Sequence, residues 1–241
     1  MQVTAQTPSP TPANPSYSEI LGDYRFRVCS DPESFAAALE VRRRVYNGGC
    51  GYDVPIPDSY DERSWLLLAE HVPTGEAVGT MRITPRSTGR IEAEEYFSLP
   101  PLLRTSIAVE VNRFAILPAH RKSGNLLPSV SFGLFKLMIN FVMDRLGADF
   151  VIVCSKEERI WTYEWLRFQR SGMVARYTKL GNAEHELLVQ DLRHRLREHT
   201  DHRLWDFLFE SQYEQISVPT VPPGLGPNCD FPAEPLYARS A

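Results

Sequence analysis

The chain has 241 residues, 43% of them hydrophobic and 23% charged, a globular balance that excludes a wholly disordered chain. Its 26 Lys+Arg against 30 Asp+Glu give a formal charge of -4, which argues against a general nucleic-acid binder. Ten of the 19 prolines crowd the two ends, from Pro8 to Pro15 and from Pro219 to Pro235. The expected organisation is a Pro-rich tail over 1–19, one folded domain over 20–213 and a second Pro-rich tail over 214–241.

In chain order, Tyr24, Phe26 and Val28 alternate with arginines and read as a half-buried strand. Asp31-Pro32-Glu33 predicts a helix start, with Asp as N-cap and Pro at the first position, and the helix runs to about Tyr46 before Gly48-Gly49. Residues 50–63 read as a loop. Ser64–Val72 and Ala77–Thr84 predict a hairpin turning at Pro73-Thr74-Gly75. An irregular stretch follows to about Thr105, then Ile107–Ile116 (IAVEVNRFAI) reads as the strongest strand.

Leu126–Leu146 predicts a helix ending at Gly147, and the apolar run Phe150–Cys154 predicts a strand buried on both faces. A helix over Glu157–Phe168, strands over Val174–Lys179 and Leu187–Leu192, and a helix over Arg203–Tyr213 complete the pattern. The strand–helix–strand in the second half requires a parallel pair and the hairpin an antiparallel one. The fold class is therefore α/β, with a mixed central sheet flanked by helices.

The four cysteines form no C-x-x-C pair and no histidine pair forms H-E-x-x-H, so no metal is expected. Residues 1–19 lack the apolar core of a signal peptide. The most apolar stretch, Phe132–Met143, is broken by Lys136 and Asn140 and is too short to span a bilayer. A cytoplasmic protein with reduced thiols and no transmembrane segment is expected.

Several polar residues stand where burial is expected. Stepping about 100° per residue from Phe35 puts Arg42 on the apolar stripe of the first helix, with Leu39 and Tyr46. Arg82 shares a strand face with Val78 and Thr80. Strict alternation over 107–116 sets Glu110 and Asn112 with Ala108 and Phe114, and Arg113 on the other face with Val109 and Val111. Each such group would cost a few kcal/mol if buried unpaired, so partners are required. Internal ion pairs such as Glu110 with Arg42 or Arg82 are one solution, and a catalytic surface is the other. Arg121-Lys122-Ser123-Gly124, between a strand and a helix, has the makings of an anion site.

The segments VRRRVY (Val41–Tyr46), SYDE (Ser59–Glu62), GTMRI (Gly79–Ile83) and VEVNRFAI (Val109–Ile116) together resemble the autoinducer-synthase branch of the GNAT acyltransferase fold. That branch holds the acyl-homoserine lactone synthases and the N-acyl amino acid synthases, and the similarity covers about residues 22–195. The resemblance implies a bacterial enzyme with a single-domain GNAT-like fold whose central strands splay apart. It implies transfer of a medium- or long-chain acyl group from an acyl carrier protein thioester, or from acyl-CoA, to a small-molecule amine. No permanently bound cofactor is implied.

By the same resemblance Glu110, Arg82 and Arg42 are the catalytic candidates, with Glu110 as base. Tyr46, Asp58, Asp61, Asn112, Arg113 and Phe114 are candidates for substrate binding. Arg121, Lys122 and Gly124 would meet the donor's phosphopantetheine, and Phe132, Phe135 and Met138 its acyl chain. Gly51-Tyr52 stands where the lactone synthases have Gly-Trp, and the acidic stretch after it is short. This favours an amino-acid amine over S-adenosylmethionine as acceptor. A lactone synthase, an acetyl-CoA-dependent acetyltransferase and a non-catalytic lipid- or partner-binding domain stay open.

Overall fold

A computed structural model describes residues 19, 21–121, 129–193 and 202–231. Eight strands form one mixed sheet: β1 (Tyr24–Val28), β2 (Trp65–His71), β3 (Glu76–Pro85), β4 (Ala108–Ile116), β5 (Phe150–Ser155), β6 (Gln169–Tyr177), β7 (Ala183–Asp191) and β8 (Ile216–Ser217). Their spatial order is β6-β7-β5-β4-β3-β2-β1-β8. β1 to β4 are antiparallel neighbours, β4 and β5 are parallel, and β5, β7 and β6 are antiparallel.

The first helix, α1 (Pro32–Arg43), starts as its sequence predicts. The Asp31 carboxylate accepts from the Ser34 N–H at 2.7 Å, and a π-turn (Arg44–Gly49) continues it to the double glycine. α2 (Pro101–Thr105) is a short helix in the irregular stretch, and α4 (Glu157–Trp165) and α5 (His202–Trp205) follow β5 and β7. Between β4 and β5, α3 (Ser129–Asp144) crosses one face of the sheet; its predicted start at Leu126 lies outside the described residues.

α3 is buried along nearly its whole length because two glycines let it lie close to the strands. A Cβ on Gly133 would stand 2.1 Å from the Phe26 ring, and one on Gly79 would stand 2.6 Å from Val130. The main core lies between α3 and the sheet, and a smaller one, around Ile91, Phe97, Phe150 and Tyr177, covers part of the opposite face.

The segment after Tyr213 differs from the tail its composition predicts. β8 pairs in parallel with the edge strand β1, the Trp65 indole N–H donates to the Pro223 carbonyl at 2.9 Å, and Cys229 is buried near Cys29. Proline removes donors from a strand but leaves the carbonyls that this packing uses. No helix among the described residues is long and apolar enough to cross a membrane.

Candidate active site

β4 and β5 pair only at Ala108–Phe150, Val109–Val151 and Glu110–Ile152. Beyond Glu110 the strands part, and the gap opens into a cavity of about 930 Å³. That lies at the upper end of the about 300–1,000 Å³ of ordinary ligand sites. Its wall has two chemistries. Toward α3 it is mostly apolar, with Val111, Val153, Phe132, Phe135 and Trp165 beside the Ser131 hydroxyl; toward the other face stand Glu92, Glu110, Asn112, Tyr177, His185 and Lys156. Glu110 stands where the paired strands give way to the gap.

A β-bulge shapes this wall. Thr80 opposes Ala115 while Arg82 opposes Asn112, so β4 carries one extra residue, and Arg113 takes a left-handed backbone with φ of 53°. The bulge overturns the alternation read from the sequence. Arg113 swings to the side of Asn112, and both side chains donate to the Glu92 carboxylate, at 2.7 and 3.0 Å. Phe114 turns instead to α3, its ring 5.2 Å from that of Phe135.

Behind the wall lies a buried ion cluster. Arg42 pairs with Asp61 at 2.5 Å and Asp58 at 3.4 Å. Arg82 pairs with Asp58, with Asp61 at 3.1 Å and with Glu92 at 2.8 Å, and its Nε donates to the Asn112 carbonyl. Arg113 pairs with Asp58 at 3.0 Å and Glu92 at 2.7 Å. Three guanidinium groups thus meet three carboxylates; the anions outweigh burial at Arg113, whereas at Arg42 burial dominates and its Nε has no hydrogen-bond partner. Burial pushes the Asp58 carboxyl up, but Arg82, Arg113 and Arg42 outweigh it and hold its pKa at about 2.

Glu110 is a fourth carboxylate without an arginine on it. Its two oxygens accept the backbone N–H groups of Glu92 and Ala93, at 2.8 and 3.1 Å. Burial, reinforced by the Glu92 charge, pushes its pKa up to about 7. The Glu110–arginine pairs considered from sequence are therefore replaced by Glu92–arginine pairs. Glu92 lies in an irregular 3₁₀ turn (Glu92–Glu95) that no periodicity marks. Its one signal is charge balance: three inward arginines need a third anion besides Asp58 and Asp61.

The expected site residues thus fall into groups. Glu110, Tyr46, Asn112, Arg113, Phe114, Arg121, Phe132 and Phe135 line the cavity. Tyr46 donates its hydroxyl to the Phe114 carbonyl at 3.2 Å. Arg42 and Arg82 do not reach the cavity; at 1% and 0% exposure they are spent on the ion cluster with Asp58 and Asp61. Met138 lies three residues past Phe135 on α3, about 4.5 Å deeper along the helix, and is core rather than lining. Lys122 and Gly124 lie outside the described residues. Sequence reasoning missed Glu92, Lys156, Tyr177 and His185 as lining groups. Among the described residues no group of three or more His, Cys, Asp or Glu could hold a metal ion.

A mixed sheet with one parallel central pair splayed over a two-sided cavity defines an acyltransferase of the GNAT fold. The model of the N-acyl amino acid synthase FeeM family matches residues 37–191, and the chain belongs to that family. A search of curated protein sequences found no match. Among solved structures, FeeM, an N-acyl amino acid synthase from uncultured soil microbes, superposes with a TM-score of 0.59 at 17% identity, covering 73% of this chain and 94% of its own. BjaI, a CoA-dependent acyl-homoserine lactone synthase solved with SAM and isopentyl-CoA, gives 0.56 at 17% identity, covering 77% and 89%. A putative N-acetyltransferase from Lactobacillus plantarum gives 0.51 at 14% identity, covering 71% and 99%. These likenesses concern the fold.

Proposed function

We propose that this acyltransferase moves a medium- or long-chain acyl group from an acyl carrier protein thioester to the amine of an amino acid or related small molecule, leaving an N-acyl amide and a free thiol. The observation that carries the reading is the cavity itself, apolar toward α3 and polar toward the other face, with Glu110 at the junction. An acyl chain suits the first half and a polar amine the second. Arg121, exposed where it lines the cavity, suits the donor's phosphate and offers positive charge to an acidic carrier.

An α-ammonium has a pKa of about 8 in water and must lose a proton before it attacks. A Glu110 carboxylate with a pKa of about 7 is close enough to take that proton, directly or through water, at a cost of about 1.4 kcal/mol per unit of mismatch. The edge of β4 that leaves β5 beyond Glu110 offers backbone N–H groups to the tetrahedral oxyanion. Arg42, Arg82 and Asp61 are positioning residues: with Arg113 and Asp58 they fix Glu92, whose backbone holds Glu110.

The test is turnover of decanoyl carrier protein with a panel of amino acids, read by mass spectrometry of the amide. Glu110→Gln should lower kcat by about 10²–10⁴ with the fold intact. In the parent protein kcat should rise with pH through about 7, because only the ionised carboxylate accepts a proton. Near-normal turnover by a folded Glu110→Gln protein would remove Glu110 as base. Product formed with S-adenosylmethionine but with no amino acid would make the protein a lactone synthase.

A further inference from the structure

The polar half of the cavity contains groups that the chemistry above leaves without a task. Tyr177 is 3% exposed, and its hydroxyl has no hydrogen-bond partner. Leaving a buried hydroxyl unpaired costs about 1–3 kcal/mol, so it marks a place where a ligand atom belongs. The neighbouring Cys154 thiol is a weak partner that does not meet hydrogen-bond geometry. The His185 ring stands 4.6 Å from the Tyr177 ring. Its Nδ1 lies 3.0 Å from the Ala183 carbonyl and must donate to it, which leaves Nε2 as an acceptor. Burial holds its pKa below the ordinary value, so the ring is neutral.

Lys156 supplies the charge. Its Nζ donates to the Tyr52 hydroxyl at 3.0 Å and lies over the Tyr52 ring; among the described residues it makes no ion pair. The other cavity cations are differently placed. Arg113 is neutralised by Asp58 and Glu92, and Arg121 donates to the Ile116 carbonyl. Arg159 acts on Tyr163, which packs against Phe135 in the apolar half, whereas Lys156 acts on His185. His185 also feels Glu158 and Glu92, and Tyr177 feels Glu110 and Glu92. The wall therefore carries an ammonium with no ion pair, with the exposed Glu158 near it, and the buried acidic pair Glu92 and Glu110.

We infer that this half of the cavity binds a zwitterionic acceptor, its amine toward Glu110 and its carboxylate on Lys156, with the Tyr177 hydroxyl donating to the same molecule. A single ammonium suits a monoanion, and the nearby Glu110 and Glu92 repel a phosphate dianion. The inference rests on the acyl-transfer reading above and gives the acceptor carboxylate to Lys156, since Arg42 and Arg82 are held in the ion cluster away from the cavity.

Phenylalanine, leucine and serine, each beside its carboxamide, test this with decanoyl carrier protein as donor. The parent protein should use each acid at least ten times better than its amide in kcat/KM. Lys156→Met should lower that ratio to near one, mainly by raising the acceptor KM, and Lys156→Arg should restore part of it. Lys156→Gln replaces the Met variant should that one not fold. Tyr177→Phe should raise the acceptor KM several-fold while donor KM holds. Equal use of acid and amide by the parent protein, or an unchanged ratio in the folded Lys156 variants, overturns the inference and leaves the acyltransferase reading standing. No N-acyl product from any amine overturns both.

Discussion

Asp58 shows how tightly the residues behind the cavity depend on one another. A single carboxylate serves Arg42, Arg82 and Arg113 and also accepts the Tyr60 N–H at 2.9 Å. Its pKa is lowered from 3.8 to about 2, so its share of stability is fully present above pH 4 and is lost as pH falls through about 2. That share is about 2 kcal/mol. Asp58→Asn leaves three buried guanidinium groups short of an anion and should cost about 3–5 kcal/mol at pH 7 in urea unfolding. The deficit should shrink toward pH 2; a loss below about 1 kcal/mol would show that the cluster relaxes around the change. At this scale the arginines were legible, because a charge on an apolar stripe is conspicuous. Glu92 was not, because an acid in an irregular stretch looks like any surface residue.

Among the elements, α3 depends on the absence of side chains as much as on their presence. The site of Gly133 is filled by the Phe26 ring, so Gly133→Ala must push helix and sheet apart. Overpacking of this kind costs about 1–3 kcal/mol. The Ala variant should lose that much in chemical denaturation despite its better helix propensity, and an unchanged or raised midpoint would refute the close contact. Strands and helices were largely legible, since α1 has its cap and β4 and β5 their apolar runs. The face assignment within β4 failed past Asn112. A bulge is an extra backbone residue whose side-chain pattern resembles an ordinary strand until the left-handed position is seen.

For the molecule as a whole, the C-terminal stretch is part of the sheet's closure. Phe26 donates to the Gln215 carbonyl at 2.7 Å, Gly226 to the Ser64 carbonyl at 2.9 Å, and the Arg145 guanidinium to the Pro219 carbonyl at 2.8 Å. Removal of residues 214–241 uncovers the β1 edge and Trp65. With about 1 kcal/mol for each of three lost hydrogen bonds and about 2 for the indole, it should cost roughly 5 kcal/mol. Calorimetry should show a fall in Tm of many degrees; an unchanged Tm would make the segment a passenger. Composition hid this role, because six crowded prolines look the same whether a segment is loose or pinned by its carbonyls and rings.

The left-handed Arg113 carries a consequence for how the chain can change. Its backbone geometry favours glycine, and any other residue pays about 1–2 kcal/mol there. Its guanidinium is needed by Asp58 and Glu92. Glycine would relieve the backbone but take one guanidinium from both Asp58 and Glu92, lysine would keep the charge and lose the fork, and deleting the residue would straighten β4 with Phe114 still toward α3 but remove the same guanidinium. Each single step leads downhill, so position 113 is an evolutionary dead end, held in place by two demands that no other residue meets together.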